Sequence, residues 1–384
     1  MTDLNNKTIL LISPQPWGDI YLSKHHYAIA LAKKGNKVFF LNPITTQKTS
    51  FGKIVTISPI EGVGNLFKVD FCIYSSFILK FHLRFLFDKI LAFHIANHLL
   101  KALPKLAVVW DFDCGLFYKD LNAFNTDFSI YQPVDQIANL SGNTKNAQVV
   151  FSISSVILAN FKDSATPHFL LNHGLGRIFA DSAQAFKPDT WSQKGKIKFC
   201  YSGNLLIPLI EKEVLKKVIT QFENVEFHFI GPFSYHNNNV SGYGTISAEI
   251  EFFVGFLQQK SNVVLHGTKP QSEMVGIMAM MDGFFLCYDN AKDPNKGSNS
   301  HKIMEYLSFG KVVVSSRISA YDGTDILAMV ADDDNSNFLP LFEHVVNNIE
   351  VFNSIENQQK RINFALDNTY TRQIEKIEVL IKDL

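Results

Sequence analysis

The sequence predicts two α/β domains, each a doubly wound, Rossmann-like sheet with helices on both faces. Three observations predict it. The chain opens as strand, loop, helix, strand, the pattern of a parallel sheet. A second series of short apolar runs begins at Ile197, after a polar stretch without period from Ala180 to Lys196. The length, 384 residues, suffices for two ordinary domains.

Composition bounds the function. The chain is 46% hydrophobic and 19% charged, with 34 phenylalanines, which is globular rather than disordered. Net charge is zero, but residues 1–180 hold 17 Lys+Arg against 11 Asp+Glu, and the remainder reverses the bias. The N-terminal half is therefore expected to meet something anionic, a membrane surface or an acidic acceptor. Nucleic acid would require a stronger basic bias. Cys72, Cys114, Cys200 and Cys287 lie far apart in apolar contexts, without zinc or disulfide spacing, and read as reduced cytoplasmic thiols. The N-terminus lacks the apolar core of a signal peptide, and no apolar run is long enough to span a bilayer.

In the first half, Thr8 to Ser13 reads as a buried strand and Pro14 to Leu22 as a loop. Ser23 to Lys34 reads as a helix stopped by Gly35-Asn36, and Lys37 to Leu41 as the next strand. Residues 71–103 mix Phe77, Phe81, Phe85, Phe87 and Phe93 with Lys80, Arg84 and Lys89 at helical spacing. They are either amphipathic helices packed on the sheet or a surface touching anionic lipid. Further strands are expected from Leu106 to Trp110, Phe128 to Tyr131, Val149 to Ser152 and Phe169 to Leu171.

In the second half, strands from Ile197, Val225, Val263 and Gly283 each end in a loop, with helical patterns at about 209–222 and 271–281. The loops carry Gly203-Asn204, Gly231, Gly267-Thr268-Lys269 and Tyr288-Asp289. Ligands of such sheets bind beyond the carboxyl ends of strands, and glycine lets backbone approach a diphosphate. Residues 368–384 read as an amphipathic helix.

The most informative stretch runs from Ser298 to Ser315: a polar turn, a short helix, a glycine stop at Gly310 and a buried strand. Asn299 and Ser300 are good N-caps, followed by His301. Lys302 and Glu305 share a helical face. A helix N-terminus with a lysine suits phosphate, and a carboxylate one turn on suits ribose hydroxyls. Such a segment would hold a nucleoside diphosphate.

Lys302, Glu305-Tyr306-Leu307, Gly310 and Val312 to Ser315 resemble the donor-site signature of GT-B glycosyltransferases of the group 1, or family 4, type. Ala30-Leu31-Ala32 to Gly35 and Val38 resemble a phrase near the start of the same proteins. The resemblance implies two Rossmann-like domains facing a cleft. Their expected bounds are 1–179 for the acceptor, 180–196 for the linker, 197–367 for the donor and 368–384 for a helix crossing back. It also implies transfer of a sugar from a UDP- or GDP-sugar to a saccharide or lipid-linked acceptor in bacterial surface polysaccharide synthesis. Retention of configuration, no metal and no cofactor are expected. The setting would be cytoplasmic, at or near the inner face of the membrane.

The donor residues implied are Gly203, Asn204, Gly231, Gly267, Lys269, Asn299, Ser300, His301, Lys302 and Glu305. Trp17, Gly18, Asp19 and Tyr21, in the first loop, are the candidate acceptor contacts. Asp135, Asp19 and His25 are the candidate bases, needed if the reaction inverts. The sequence departs from the family at Gly297, where many members carry a carboxylate, and at Asn204 and Leu209, where many carry Arg and Lys. A nucleotide-sugar epimerase of the same fold and a non-catalytic binding relative stay open as alternatives.

Overall fold

The computed structural model describes residues 3–18, 21–46, 53–135, 142–193, 195–234, 247–293, 299–382 and 384. The chain forms two compact units, residues 1–174 with 370–384, and residues 175–369.

The first unit is built on an eight-stranded sheet. Its strands are β1 (Thr8–Ile12), β2 (Lys37–Leu41), β3 (Val55–Pro59), β4 (Leu66–Phe71), β5 (Val108–Asp111), β6 (Phe128–Tyr131), β7 (Val149–Ser152) and β8 (His168–Leu170). They lie in the order β3-β4-β2-β1-β5-β6-β7-β8. All pairings are parallel except β3 with β4. The central strands are apolar throughout because both faces are covered. Alternate residues feed opposite cores: Leu10, Ile12, Phe39 and Leu41 on one face, Ile9, Leu11, Val38 and Phe40 on the other.

The first face is covered by the helix Arg84–His94 and the turn after it, which bury Phe87, Leu91, Ile95 and Leu99 at a spacing of four. The second is covered by the helix Ser23–Lys33, with Tyr27, Ala28 and Leu31, and by the last helix, Tyr370–Ile381, with Ile374, Ile377 and Ile381. The last helix thus belongs to the first unit, where Tyr370 packs edge-on to Tyr27 and its ring fills the space a Cβ on Gly174 would need. Residues 42–70 carry no clear strand pattern in the sequence. There the β3/β4 hairpin sits at the sheet edge and mixes Lys68 and Asp70 with apolar residues, which hides it.

The second unit has a six-stranded sheet. Its strands are β9 (Ile197–Ser202), β10 (Val225–Ile230), β11 (Val263–Gly267), β12 (Gly283–Leu286), β13 (Val312–Ser315) and β14 (Ala328–Met329), in the order β11-β10-β9-β12-β13-β14. All pairings are parallel. The chain winds outward from β9 through β10 to β11, then returns to β12 on the other side. The switch point is therefore the gap between β9 and β12, where such sheets bind ligands.

The predicted linker at 180–196 is partly a helix. Arg177–Ala185 buries Phe179 and Ala180 in the second core and packs on the helices Gln271–Met278 and Ile355–Leu366. The units divide at 174/175 and 369/370 rather than at 179/180 and 367/368, because these helical residues need that core to cover them.

Candidate functional site in the second unit

The ends of β9, β10 and β11 are joined by backbone hydrogen bonds. Gly203 N–H donates to Ile230 O at 2.7 Å, and Gly231 N–H to Gly267 O at 2.8 Å. The three glycines have φ of +149°, +145° and +70°. A Cβ on Gly231 would lie 2.0 Å from Gly203 O, so no side chain fits between these strand ends. The result is a backbone shelf across the ends of β9, β10 and β11 that reaches the switch point at Gly203. Asn204 lies beside it and spends its side-chain oxygen on Leu206 N–H, at 2.9 Å, ordering its own turn.

The helix Lys302–Leu307 joins β12 to β13. His301 is its N-cap in backbone terms without a side-chain cap bond of its own, and Ser300 Oγ accepts a long bond from Lys302 N–H, at 3.4 Å. Tyr306 anchors the helix: it stacks on Phe284 at 4.6 Å, and its hydroxyl bonds to Ser202 N–H at 2.8 Å. That anchor sets Lys302 across the shelf. Its ammonium donates to the Tyr288 hydroxyl at 3.2 Å, and Tyr201 OH is 3.4 Å from Tyr288 OH. An ammonium and two phenol hydroxyls therefore meet at the gap between β9 and β12. Such donors suit a diphosphate.

Glu305 lies one turn further on. Its side chain is only 15% exposed, with His301 Nε2 3.9 Å away. Burial pushes its carboxyl up to about 7, while the Lys302 charge pulls the other way. A carboxyl poised there accepts from a diol when ionised and also donates when neutral.

Lys269 stands two residues beyond Gly267, but its ammonium is paired with Glu273 at 3.1 Å. Asn299 is buried and His301 is half-exposed. Gly297, where the resemblance expects a carboxylate, lies outside the described residues. The structure thus brings together Gly203, Gly231, Gly267 and Lys302, adds Glu305 along the same helix, and leaves Lys269 engaged elsewhere. The sequence marks Tyr288 only as part of a strand-end loop, with no contact assigned, and does not mark Tyr201. The signal was present, an aromatic residue at each of the two strand ends that flank the switch point.

In the first unit, Trp17, Tyr21 and His25 form one aromatic group, with centroids 5.3–5.8 Å apart. Asn42 Oδ1 accepts from the Trp17 backbone N–H at 2.8 Å. Gly18 has open space around it, and Asp19 lies outside the described residues. His25 is fully buried. Its Nδ1 accepts from Leu22 N–H at 3.0 Å and its Nε2 lies 3.1 Å from Pro16 O, an arrangement that requires a neutral Nε2–H ring. Burial pushes its pKa down to about 4. Both nitrogens are spent on backbone, so His25 holds the first loop and is not placed to abstract a proton. Asp135 is exposed in the loop that follows β6. Its charge opposes the burial that lowers the neighbouring Lys24 to about 8.

Asp111-Phe112-Asp113 has the letters of a metal motif but is structural. Asp111 accepts from fully buried Lys145 at 2.6 Å, and Asp113 caps Gly115 and Phe117 N–H. All four cysteines are buried and unbonded to one another.

No protein-family model matches the chain, and no curated protein is similar to it in sequence. Solved structures are similar. The E. coli trehalose-6-phosphate structure bound with UDP-2-fluoro glucose superposes with a TM-score of 0.70 at 10% identity, covering 98% of this chain and 99% of that one. The UDP-forming α,α-trehalose-phosphate synthase of Burkholderia vietnamiensis gives 0.70 at 10%, covering 97% and 96%. Sucrose-phosphate synthase of Thermosynechococcus elongatus gives 0.66 at 13%, covering 98% of each chain. At such identities the likeness is one of fold, and over nearly its whole length the chain has the two-domain GT-B fold of these glycosyltransferases.

Proposed function

We propose that the chain is a glycosyltransferase that moves a sugar from a UDP- or GDP-sugar to a saccharide or lipid-linked acceptor. The observation that carries this reading is Lys302. Its ammonium is held over a glycine shelf beside the Tyr288 and Tyr201 hydroxyls, at the switch point of a parallel sheet. In this reading Lys302 and Tyr288 bind the diphosphate and stabilise the charge it gains as the sugar leaves. Glu305 holds the ribose hydroxyls. Tyr288 stands in for part of the cationic clamp that Asn204 and Leu209 do not supply. The diphosphate meets an ammonium and hydroxyls rather than carboxylates, so the proposal has no metal and no cofactor.

Among the similar structures, trehalose-6-phosphate synthase is described as transferring with retention and three are linked to UDP, which favours retention and a uracil nucleotide here. The loop of Trp17, Gly18, Asp19 and Tyr21 would meet the acceptor, as would Asp135. The biological setting proposed is assembly of bacterial surface polysaccharide in the cytoplasm, beside the inner membrane face.

The test is turnover of a panel of UDP- and GDP-sugars with simple sugar acceptors, read as nucleotide release and product mass, with and without a chelator. Release of one nucleotide coupled to a new glycoside, reduced about 100-fold or more by Lys302→Met, supports the reading. Interconversion of the donor sugar without transfer would make the chain an epimerase. Nucleotide binding without any conversion would make it a binding relative, the reading favoured by Asn204 and Leu209.

A further inference from the structure

We infer that the outer face of the helices Ile78–His82 and Arg84–His94 docks on an anionic lipid bilayer. The inference rests on the proposed function only for its purpose, since a lipid-linked acceptor would be met at such a surface.

The helix Arg84–His94 is apolar on both sides. One side buries Phe87 and Leu91 against the sheet. The other turns Phe85, Leu86 and Phe93 to solvent, and the preceding helix adds Ile78 and Phe81. Phe81 is 77% exposed and Phe85 73%. A surface helix ordinarily turns a polar face to solvent, whereas this one turns Phe85, Leu86 and Phe93 outward beside Lys89, so that face lacks a cover. Fifteen large apolar residues are exposed among those described, and seven of them fall between Tyr74 and Phe93. Such a concentration differs from the scattered single exposures of ordinary surfaces.

Charge selects the occupant. These helices carry Lys80, Arg84 and Lys89 against the single acid Asp88, which Arg84 neutralises at 2.7 Å. The Lys89 ammonium lies over the exposed Phe85 ring at 4.3 Å, so a cation stands directly on the apolar face, as at a membrane interface. The platform is also preformed. Arg84 donates to the carbonyls of Leu116 and Phe117, and Lys80 to that of Gly115, at 2.5–3.2 Å. An apolar face of fixed shape with cations at its rim complements the headgroup region of an anionic leaflet. The apolar covering surface of a protein partner would not need the cations.

The test is co-sedimentation of the full chain with phosphatidylcholine vesicles containing about one third phosphatidylglycerol, and with pure phosphatidylcholine vesicles. Wild type is compared with Phe81→Ser/Phe85→Ser and Lys89→Glu. Expected are binding to the anionic vesicles, weakening with salt, and a loss of about tenfold or more in the phenylalanine variant. Its melting temperature and nucleotide affinity should be unchanged, because both side chains are exposed. Failure to bind anionic vesicles would overturn the inference, as would equal binding by the variants. A dimer in light scattering that the phenylalanine substitutions dissolve would overturn it too, making a second copy the occupant. Vesicle binding in a chain that binds no nucleotide would uphold docking while defeating the glycosyltransferase reading.

Discussion

Lys302 crosses Gly203 so closely that a Cβ on the glycine would lie 2.5 Å from Lys302 Cε. The lysine can be displaced, whereas the strand-end backbone cannot, so Gly203→Ala should expel Lys302 from its place beside Tyr288. At φ +149° alanine is also strained, by about 1–3 kcal/mol. The expected outcome is at least about tenfold weaker nucleotide binding with the fold retained, checked by calorimetric titration and a thermal melt.

Glu305 should make stability depend on pH in a stated direction. Its carboxyl titrates near 7 when folded, against a reference of 4.5. Between those values the folded chain binds more protons than the unfolded chain. Its contribution to stability is therefore present below about 4.5, falls as pH rises, and is lost above about 7, by up to about 3 kcal/mol. Glu305→Gln should remove that slope. Melting curves of both proteins from pH 4.5 to 8 check it.

Lys145 is fully buried, with Asp111 at 2.6 Å and the Tyr131 ring at 4.5 Å. Lys145→Met strands the Asp111 carboxyl in the core and should cost about 3–5 kcal/mol. Adding Asp111→Asn should return a large part of that loss. Denaturant titrations of the single and double variants check the coupling.

His25 should behave as a loop anchor. His25→Gln should lower stability by about 1–3 kcal/mol and leave the shape of the pH–rate profile unchanged. Loss of a limb of that profile in the variant would mark the ring as a base after all.

The central strands were legible in sequence because both faces are covered, which leaves short apolar runs such as Thr8–Ile12 and Val312–Ser315 between turn residues. Lys302 and Glu305 were legible because three residues on one helix fix their common face. The strand-end position of Tyr288 was legible too, but its meeting with Tyr201 was not, since strand order brings together hydroxyls 87 residues apart. His25 read as a candidate base because no sequence pattern reveals that Leu22 and Pro16 use both its nitrogens. The helix Ala248–Gln259 was missed for a local reason: Phe252, Phe253 and Phe256 blur the apolar stripe, and Phe252 is exposed.

The central claim is that the second unit holds a nucleoside diphosphate between Lys302 and Glu305. Calorimetric titration of wild type, Lys302→Met and Glu305→Ala with UDP, GDP, ADP and inorganic phosphate tests it most directly. One diphosphonucleoside should bind, at least about tenfold more weakly to either variant, and free phosphate should be affected by Lys302→Met alone. Binding of none of the four, or binding that both variants leave intact, would contradict the account.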